Sequence, residues 1–252
     1  MGQGRELIVI GGLQDVRAAL NNQPREVAGV WIDARRNDRR MNEIAALAER
    51  CGVPVTRASR REIDEMAAGL RHQGVVAQCA GIRVLGSVGL ESLLANLDHD
   101  PLLLVLDGVQ DPHNLGACLR AADGAGVDAV IAPADRACGI TPVVSRVAAG
   151  AAHSMPFFQV PNLVRTLNTL SDSGVWITGA ADDAGIDLWQ ADLTGPTAVV
   201  LGAEGSGLRE LTRRHCDHLV RIPMAGKVES LNVSVAAGVV LYEAVRQRRG
   251  GS

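Results

Sequence analysis

Short apolar runs alternate with helix-period stretches along most of this chain. Leu7 to Gly11 and Glu26 to Ile32 read as strands. Gly12 to Asn21 reads as a helix with Val16, Ala19 and Leu20 on one face, and Asn42 to Cys51 as another with Ile44, Leu47 and Ala48 inward. Val53-Pro54-Val55 is a brief strand after the Gly52 stop. Ser59 to Gly69 is a third helix, opened by Ser59 with Glu62 three residues on, a capping box. These elements make a small α/β unit that closes near Gly74 to Ala77. From Cys79 to Asp100 no clear strand pattern appears, and Leu90 to Leu97 is amphipathic, so this stretch reads as a linker with a short helix. Leu102 to Leu106 is apolar on both faces, which suits a central parallel strand covered by helices on each side. Further strands are expected at Ala129 to Ala132, Val175 to Thr178, Ala198 to Leu201 and His218 to Ile222. Helices fall near Leu115 to Gly124, Pro142 to Ala149, Asn162 to Ser171, Gly207 to His215 and Asn232 to about Arg248. The fold class is therefore α/β, with a small N-terminal α/β domain and a C-terminal open, mostly parallel sheet. Ligands of such sheets bind outside the carboxyl ends of the strands.

Composition narrows the function classes. With 47% hydrophobic residues a sizeable core is available, but aromatics are only 2%, which counts against a single-strand binder that stacks bases on rings. The net charge of −3 advertises no global attraction to nucleic acid. Arg35, Arg36, Arg39 and Arg40 nevertheless cluster, followed by Arg57, Arg60, Arg61 and Arg71. Such a patch can hold phosphates. It can equally be a solvated face, because Asp33, Asp38, Glu62, Asp64 and Glu65 are interleaved. The five cysteines are widely spaced with no CxxC pair, so neither a metal site nor a disulfide framework is expected. With no signal pattern and no apolar run of membrane-spanning length, the expectation is a cytoplasmic protein without a membrane partner.

Three strand ends carry unusual chemistry. In the first, Asp107 to Arg120, Asn114 sits where a helix begins and is either a cap or a functional group. Arg120 lies on an otherwise apolar helix and calls for a carboxylate or a phosphate. The second, Leu201 to Leu208, spaces its glycines GxxGxG after a strand, the reverse of the GxGxxG dinucleotide fingerprint. Its glycines imply close backbone approach, and Glu204 is a natural partner for Arg120. In the third, Ile222 to Gly238, the polar Ser230, Asn232 and Ser234 alternate with Leu231 and Val233. That is the pattern of a pocket with apolar walls, or of a well-capped core helix. Nothing resembles a Ser–His–acid set, which suggests that a reactive cofactor drives the chemistry.

Together these loops resemble the motifs of the SpoU, or TrmH-like, branch of the SPOUT RNA 2′-O-ribose methyltransferases. Asn114 through Arg120 matches the first motif of that family, Leu201-Gly202-Ala203-Glu204-Gly205 the second, and Ile222-Pro223-Met224 with Ser230 to Ser234 the third. The N-terminal unit, ending Arg71-His72-Gln73-Gly74-Val75-Val76, is similar to the L30e-like RNA-binding domain of one subgroup. That subgroup methylates a guanosine ribose in the peptidyl-transferase P loop of bacterial 23S rRNA. One departure is Gln14, where relatives often carry His or Asn. The resemblance implies an L30e-like RNA-binding domain at 1–77, a linker at 78–99 and a SPOUT catalytic domain at 100–252. It also implies a deep trefoil knot, an obligate homodimer and S-adenosylmethionine (SAM) bound in the knot. Gly202, Ile222 and Leu231 would line the cofactor pocket, and Asn114, Arg120, Glu204, Ser230 and Asn232 would form the catalytic group.

A family proposal makes the arginine equivalent to Arg120 a general base. A guanidinium is protonated at neutral pH, so an electrostatic role, holding the RNA phosphate and stabilising the developing alkoxide, is the alternative. The final helix carries Val233, Val235, Val239, Val240, Leu241, Ala244 and Val245, more than one core stripe needs. Either it is buried on two sides within one subunit or part of it forms a dimer interface. Two other functions compete: a tRNA ribose methyltransferase, and a non-catalytic RNA-binding or ribosome-assembly protein of the same fold.

Overall fold

A computed structural model of the chain describes residues 7–22, 24–80, 84–85, 87–148, 151 and 155–250. The strands are β1 Leu7–Gly11, β2 Val27–Asp33, β3 Val55–Ala58, β4 Val75–Ala80, β5 Val84–Leu85, β6 Leu102–Asp107, β7 Ala129–Pro133, β8 Phe157–Val160, β9 Trp176–Ala180, β10 Ile186–Asp187, β11 Thr197–Gly202 and β12 His218–Arg221. The helices are α1 Leu13–Asn22, α2 Arg39–Arg50, α3 Arg60–Ala67, α4 Ser87–Ala95, α5 Pro112–Ala125, α6 Pro142–Val147, α7 Leu163–Asp172, α8 Glu210–Arg214 and α9 Val233–Gly250. The strands fall into two sheets, one built on β1–β4 and one on β5–β12, in two compact units.

In the smaller unit the sheet order is β1-β4-β2-β3, with β2 parallel to β3 and the other pairs antiparallel. Strand alternation sends Val30, Ile32, Val75 and Ala77 to one face, where they pack with Val16 and Leu20 of α1 and Met41 and Ile44 of α2. Trp31 and Val76 face the other way, against Ile63 and Ala67 of α3. The expected capping box is present: Ser59 Oγ accepts from the Glu62 N–H at 3.3 Å, and the Glu62 carboxylate accepts from the Ser59 N–H at 2.7 Å. Two boundaries differ from expectation. Helix α2 starts earlier than Asn42, because Asp38 caps it by accepting from the N–H groups of Arg40 and Met41. Strand β3 starts at Val55 rather than Val53, after Pro54, which has no N–H for the ladder.

The larger unit carries an eight-stranded sheet in the order β10-β12-β9-β11-β6-β7-β8-β5, and every described pairing in it is parallel. Strand β6 is buried along its whole length, as a run apolar on both faces requires. Strand β11 lies between β6 and β9, although β7, β8 and β9 all precede it in the chain. Sequence reasoning did not place β5, β8 or β10. Helix α9 packs along α5 and against β11. Its Val233, Ala237, Val240, Leu241 and Ala244 are buried within the subunit, while Val235 and Tyr242 remain 52% and 54% exposed. Much of the apolar surface that suggested an interface is thus consumed by the subunit's own core. Among the described residues no helix is long and apolar enough to cross a membrane, and no cluster of potential metal ligands occurs.

Candidate active site

The loops after β9, β11 and β12 surround a cavity of about 460 Å³. It lies at the carboxyl ends of parallel strands, where such sheets bind ligands. Gly202, Ile222 and Leu231 all line it, as do Glu204 and Ser230. Gly202 is the last residue of β11, and the chain turns back on it at once. Ala203 donates to the Gly207 carbonyl at 3.1 Å and Gly207 donates to the Ala203 carbonyl at 2.9 Å, closing a small loop. Gly205 and Gly207 adopt φ values of +80° and +65°, a region that side chains disfavour. A Cβ on Gly202 would lie 2.0 Å from the Gly207 carbonyl carbon, so position 202 admits glycine alone in this geometry.

Three distant polar side chains meet beside the cavity. Asn114 donates from Nδ2 to the Glu204 carboxylate at 3.1 Å and accepts at Oδ1 from Asn232 Nδ2 at 3.0 Å. Asn232 in turn accepts from the Ser234 N–H at 2.9 Å and from the Ser234 hydroxyl at 2.6 Å, so it caps α9 from outside. Asn114 is not the cap of α5. Asp111 takes that place, accepting from the His113 N–H at 2.8 Å, with Pro112 opening the helix. This frees the Asn114 side chain to reach Glu204 and Asn232. Ser230 lies outside α9, exposed on the loop before it.

Arg120 does not join this group. The expected Arg120–Glu204 pair is absent, and Glu204 is bound to Asn114 instead. Six residues along α5 turn the helix by about 600°, so Arg120 points about 120° away from Asn114 and sits about 9 Å further along. Its side chain is exposed and makes no hydrogen bond or ion pair with the described residues.

Sequence reasoning missed two ion pairs near the cavity. Asp107, the last residue of β6, is fully buried and binds Arg209. The available signal was a lone carboxylate ending an otherwise apolar central strand. Asp183 and Arg213 pair at 2.7 Å on the cavity wall, and the hydrogen bond from Arg213 holds the Asp183 carboxyl below the usual carboxylate range. Apolar Leu201, Ile222 and Leu231 stand beside Asp182, Glu229 and the paired Asp183 and Arg213, a wall suited to a flat apolar group attached to a charged one.

The smaller unit has a cavity of about 560 Å³ of its own, lined by Gly12, Gln14, Asp15, Arg17, Arg40 and Arg71 among others. The arginines of this unit divide into a paired and an unpaired set. Arg36 is tied to Asp38, Arg39 and Arg17 to Glu43, Arg60 to Asp64, and Arg61 to Glu65. The side chains of Arg35, Arg40 and Arg71 make no hydrogen bond or ion pair with the described residues. The interleaved acids therefore neutralise part of the basic cluster and leave three arginines available.

The sequence profile of the SpoU rRNA methylase family matches residues 101–242, more than half of the chain. The chain belongs to this family. A second profile, for the RNA 2′-O ribose methyltransferase substrate-binding domain, matches residues 9–84. As a SpoU family member the chain is 52% identical over 243 residues to the 23S rRNA (guanosine-2′-O-)-methyltransferase RlmB of Pseudomonas syringae pv. tomato, covering 96% of this chain and 97% of that one. Its fold is similar to that of the SpoU methyltransferase AviRb from Streptomyces viridochromogenes in complex with the cofactor AdoMet. The TM-score is 0.76 at 25% identity, over 97% of this chain and 92% of that one. A TrmH/SpoU tRNA-modifying enzyme from A. aeolicus is 29% identical with a TM-score of 0.55, and covers 66% of this chain and 83% of that one.

Proposed function

We propose that this SpoU family member is a SAM-dependent RNA methyltransferase that methylates a guanosine 2′-hydroxyl in 23S rRNA, the finer target being the peptidyl-transferase P loop. The observation that carries the reading is the identity of 52% across nearly the whole of a relative bearing that activity. A tRNA substrate is the weaker reading, because the tRNA-modifying relative leaves a third of this chain unmatched. The cavity supports the cofactor. Backbone and apolar side chains at Gly202, Ile222 and Leu231 suit an adenosine, and the charged wall of Asp182, Glu229 and the Asp183–Arg213 pair suits the charged end. SAM supplies an electrophilic methyl group, and the protein must place the 2′-oxygen in line with it and accommodate the departing proton. Asn114 is held by Glu204 on one side and Asn232 on the other, so it is pre-set to orient the ribose hydroxyl. Ser230, at the cavity wall, lies where it would help hold the cofactor or the ribose. Arg120 supplies positive charge for the RNA phosphate and the developing alkoxide.

The working unit in this reading is a homodimer in the cytoplasm. Its support is Arg120 itself, whose position on α5 fits service to a partner's site better than to its own. Exposed Val235 and Tyr242 on the neighbouring α9 offer the apolar contact. Residues 1–77 bind substrate RNA and 100–252 carry the chemistry, while β5 and α4, inside the expected 78–99 linker, belong to the larger unit. A deep trefoil knot in the C-terminal part belongs to the same reading. Mass spectrometry of ribose methylation in a strain lacking the protein tests the target. Loss of one guanosine methyl from 23S rRNA is expected. Loss confined to tRNA would overturn the substrate.

The unpaired arginines mark where RNA is held. Arg40→Ala with Arg71→Ala is expected to weaken RNA binding and to lower the salt slope by roughly one for each phosphate no longer held, with SAM affinity unchanged. Filter binding across a salt series measures it. An unchanged slope would remove these arginines from the RNA interface.

A further inference from the structure

We infer that Asp107, acting through Arg209, is a positioning residue that sets the shape of the cofactor loop. The inference rests on the methyl-transfer reading above and adds to it a pair that lies outside the three family motifs. Asp107 ends β6 directly beside Gly202, its register partner on β11. Its carboxylate has no exposed surface. One oxygen accepts from the Arg209 backbone N–H at 3.0 Å, the other from Arg209 Nε at 2.5 Å, and the guanidinium closes an ion pair with it. The partners are 102 positions apart in the chain, so the contact joins the end of one central strand to the exit of the glycine loop.

Two features argue that this pair serves geometry rather than bulk stability. Removing a carboxylate from water is costly, and a buried ion pair is often no more stabilising than apolar residues of equal size. What it offers instead is direction, because two fixed bonds from one carboxylate define where the loop leaves. The second feature is Arg209 itself. It occupies the N-cap position of α8, where small polar residues are favoured, and makes no side-chain cap bond there. An arginine in that place is explained by its contact with Asp107.

The mechanical consequence is specific. The loop from Gly202 to Gly207 is closed at its neck by the Ala203–Gly207 bonds and held at its exit by Arg209. At its tip Glu204 holds Asn114. Releasing Arg209 therefore loosens both the wall of the cofactor cavity and the carboxylate that orients Asn114. Arg40 and Arg71, the arginines assigned to RNA, are not part of this network.

The test uses the full-length protein with SAM and a 23S rRNA fragment. Asp107→Asn keeps the size of the side chain and weakens the ion pair, and Arg209→Gln removes the charge from the other side. Each is expected to weaken SAM binding about tenfold or more, with RNA affinity unchanged. The double variant is expected to be no worse than the poorer single one, because both disrupt one contact. Arg209→Lys, which keeps the charge but not the fork, is expected to fall between wild type and Arg209→Gln. It also provides the measurement if Asp107→Asn does not fold, since Arg209 is 42% exposed. Thermal midpoints are read on the same samples. Wild-type SAM affinity in folded Arg209→Gln would overturn the inference, as would additive losses in the double variant. A wild-type protein that neither binds SAM nor methylates RNA would instead overturn the reading beneath it.

Discussion

Mixing Asn114→Ala subunits with Arg120→Ala subunits is expected to restore methyl transfer that neither variant shows alone. Asn114 lies in the hydrogen-bonded group beside the subunit's own cavity, whereas Arg120 points away from it on another face of α5. If Arg120 serves the partner's site, a mixed dimer has one site with both residues intact and one with neither. Random exchange of equal amounts then gives about a quarter of wild-type activity, half the dimers being mixed and half their sites complete. The measurement is single-turnover methylation of a 23S rRNA fragment after subunit exchange. No recovery in a demonstrated mixed dimer would place Arg120 in its own subunit's chemistry or outside the mechanism. Each homodimeric variant is expected to lose at least a hundredfold in rate while Arg120→Ala keeps SAM binding, since a charge aimed at the transition state contributes on that scale. Full activity in Arg120→Ala would remove this residue from the reaction altogether.

Gly202→Val is expected to abolish SAM binding and leave the core folded. The first added carbon alone would lie 2.0 Å, 2.1 Å and 2.3 Å from the Gly207 carbonyl carbon, its oxygen and the Leu208 nitrogen. These are backbone atoms, so no side-chain rotation relieves the overlap, and the loop must leave its place. Gly202→Ala is therefore expected to be nearly as damaging as Gly202→Val. Positions Thr197 to Leu201 stay buried in the sheet whatever the loop does, which is why the fold should survive. Calorimetry with SAM alongside circular dichroism separates the two effects. Normal affinity in either variant would show that the loop does not wall the cofactor site.

The α/β alternation was legible because long apolar strands such as Leu102–Asp107 and Thr197–Gly202 leave no other reading. The capping box of α3 was also written in local signals, as were two of the three loops around the cavity, those after β11 and β12. The loop after β9 carried no such signal, and the loop after β6 reaches the group only through Asn114. Strands β5 and β10 have two residues each and carry no periodicity to detect. Strand β8 has four, directly after Met155 and Pro156, too short a run to stand out. Partner choice was the least legible. Arg120 and Glu204 are opposite charges in neighbouring motifs, yet the helical offset between Asn114 and Arg120 decides which one faces the loop. Periodicity gives that offset once a helix is known, but not which neighbours lie across it. The chemistry assigned to these residues came from family resemblance, because no arrangement of Asn, Glu and Ser alone specifies methyl transfer.

Strand β11 has a consequence for the chain during synthesis. It separates β6 from β9, so those two strands cannot complete their pairing until residues 197–202 have emerged. Until then the growing sheet presents two apolar edges with unpaired backbone groups, and such edges recruit other strands. A ribosome stalled before Thr197 would thus release a fragment prone to aggregate, whereas one stalled beyond Gly202 would have supplied the strand that closes the gap. Pelleting of fragments ending on either side of β11 measures the difference. In this protein the order of manufacture and the order of strands in the sheet conflict, and the exposed interval between them is where quality control has work to do.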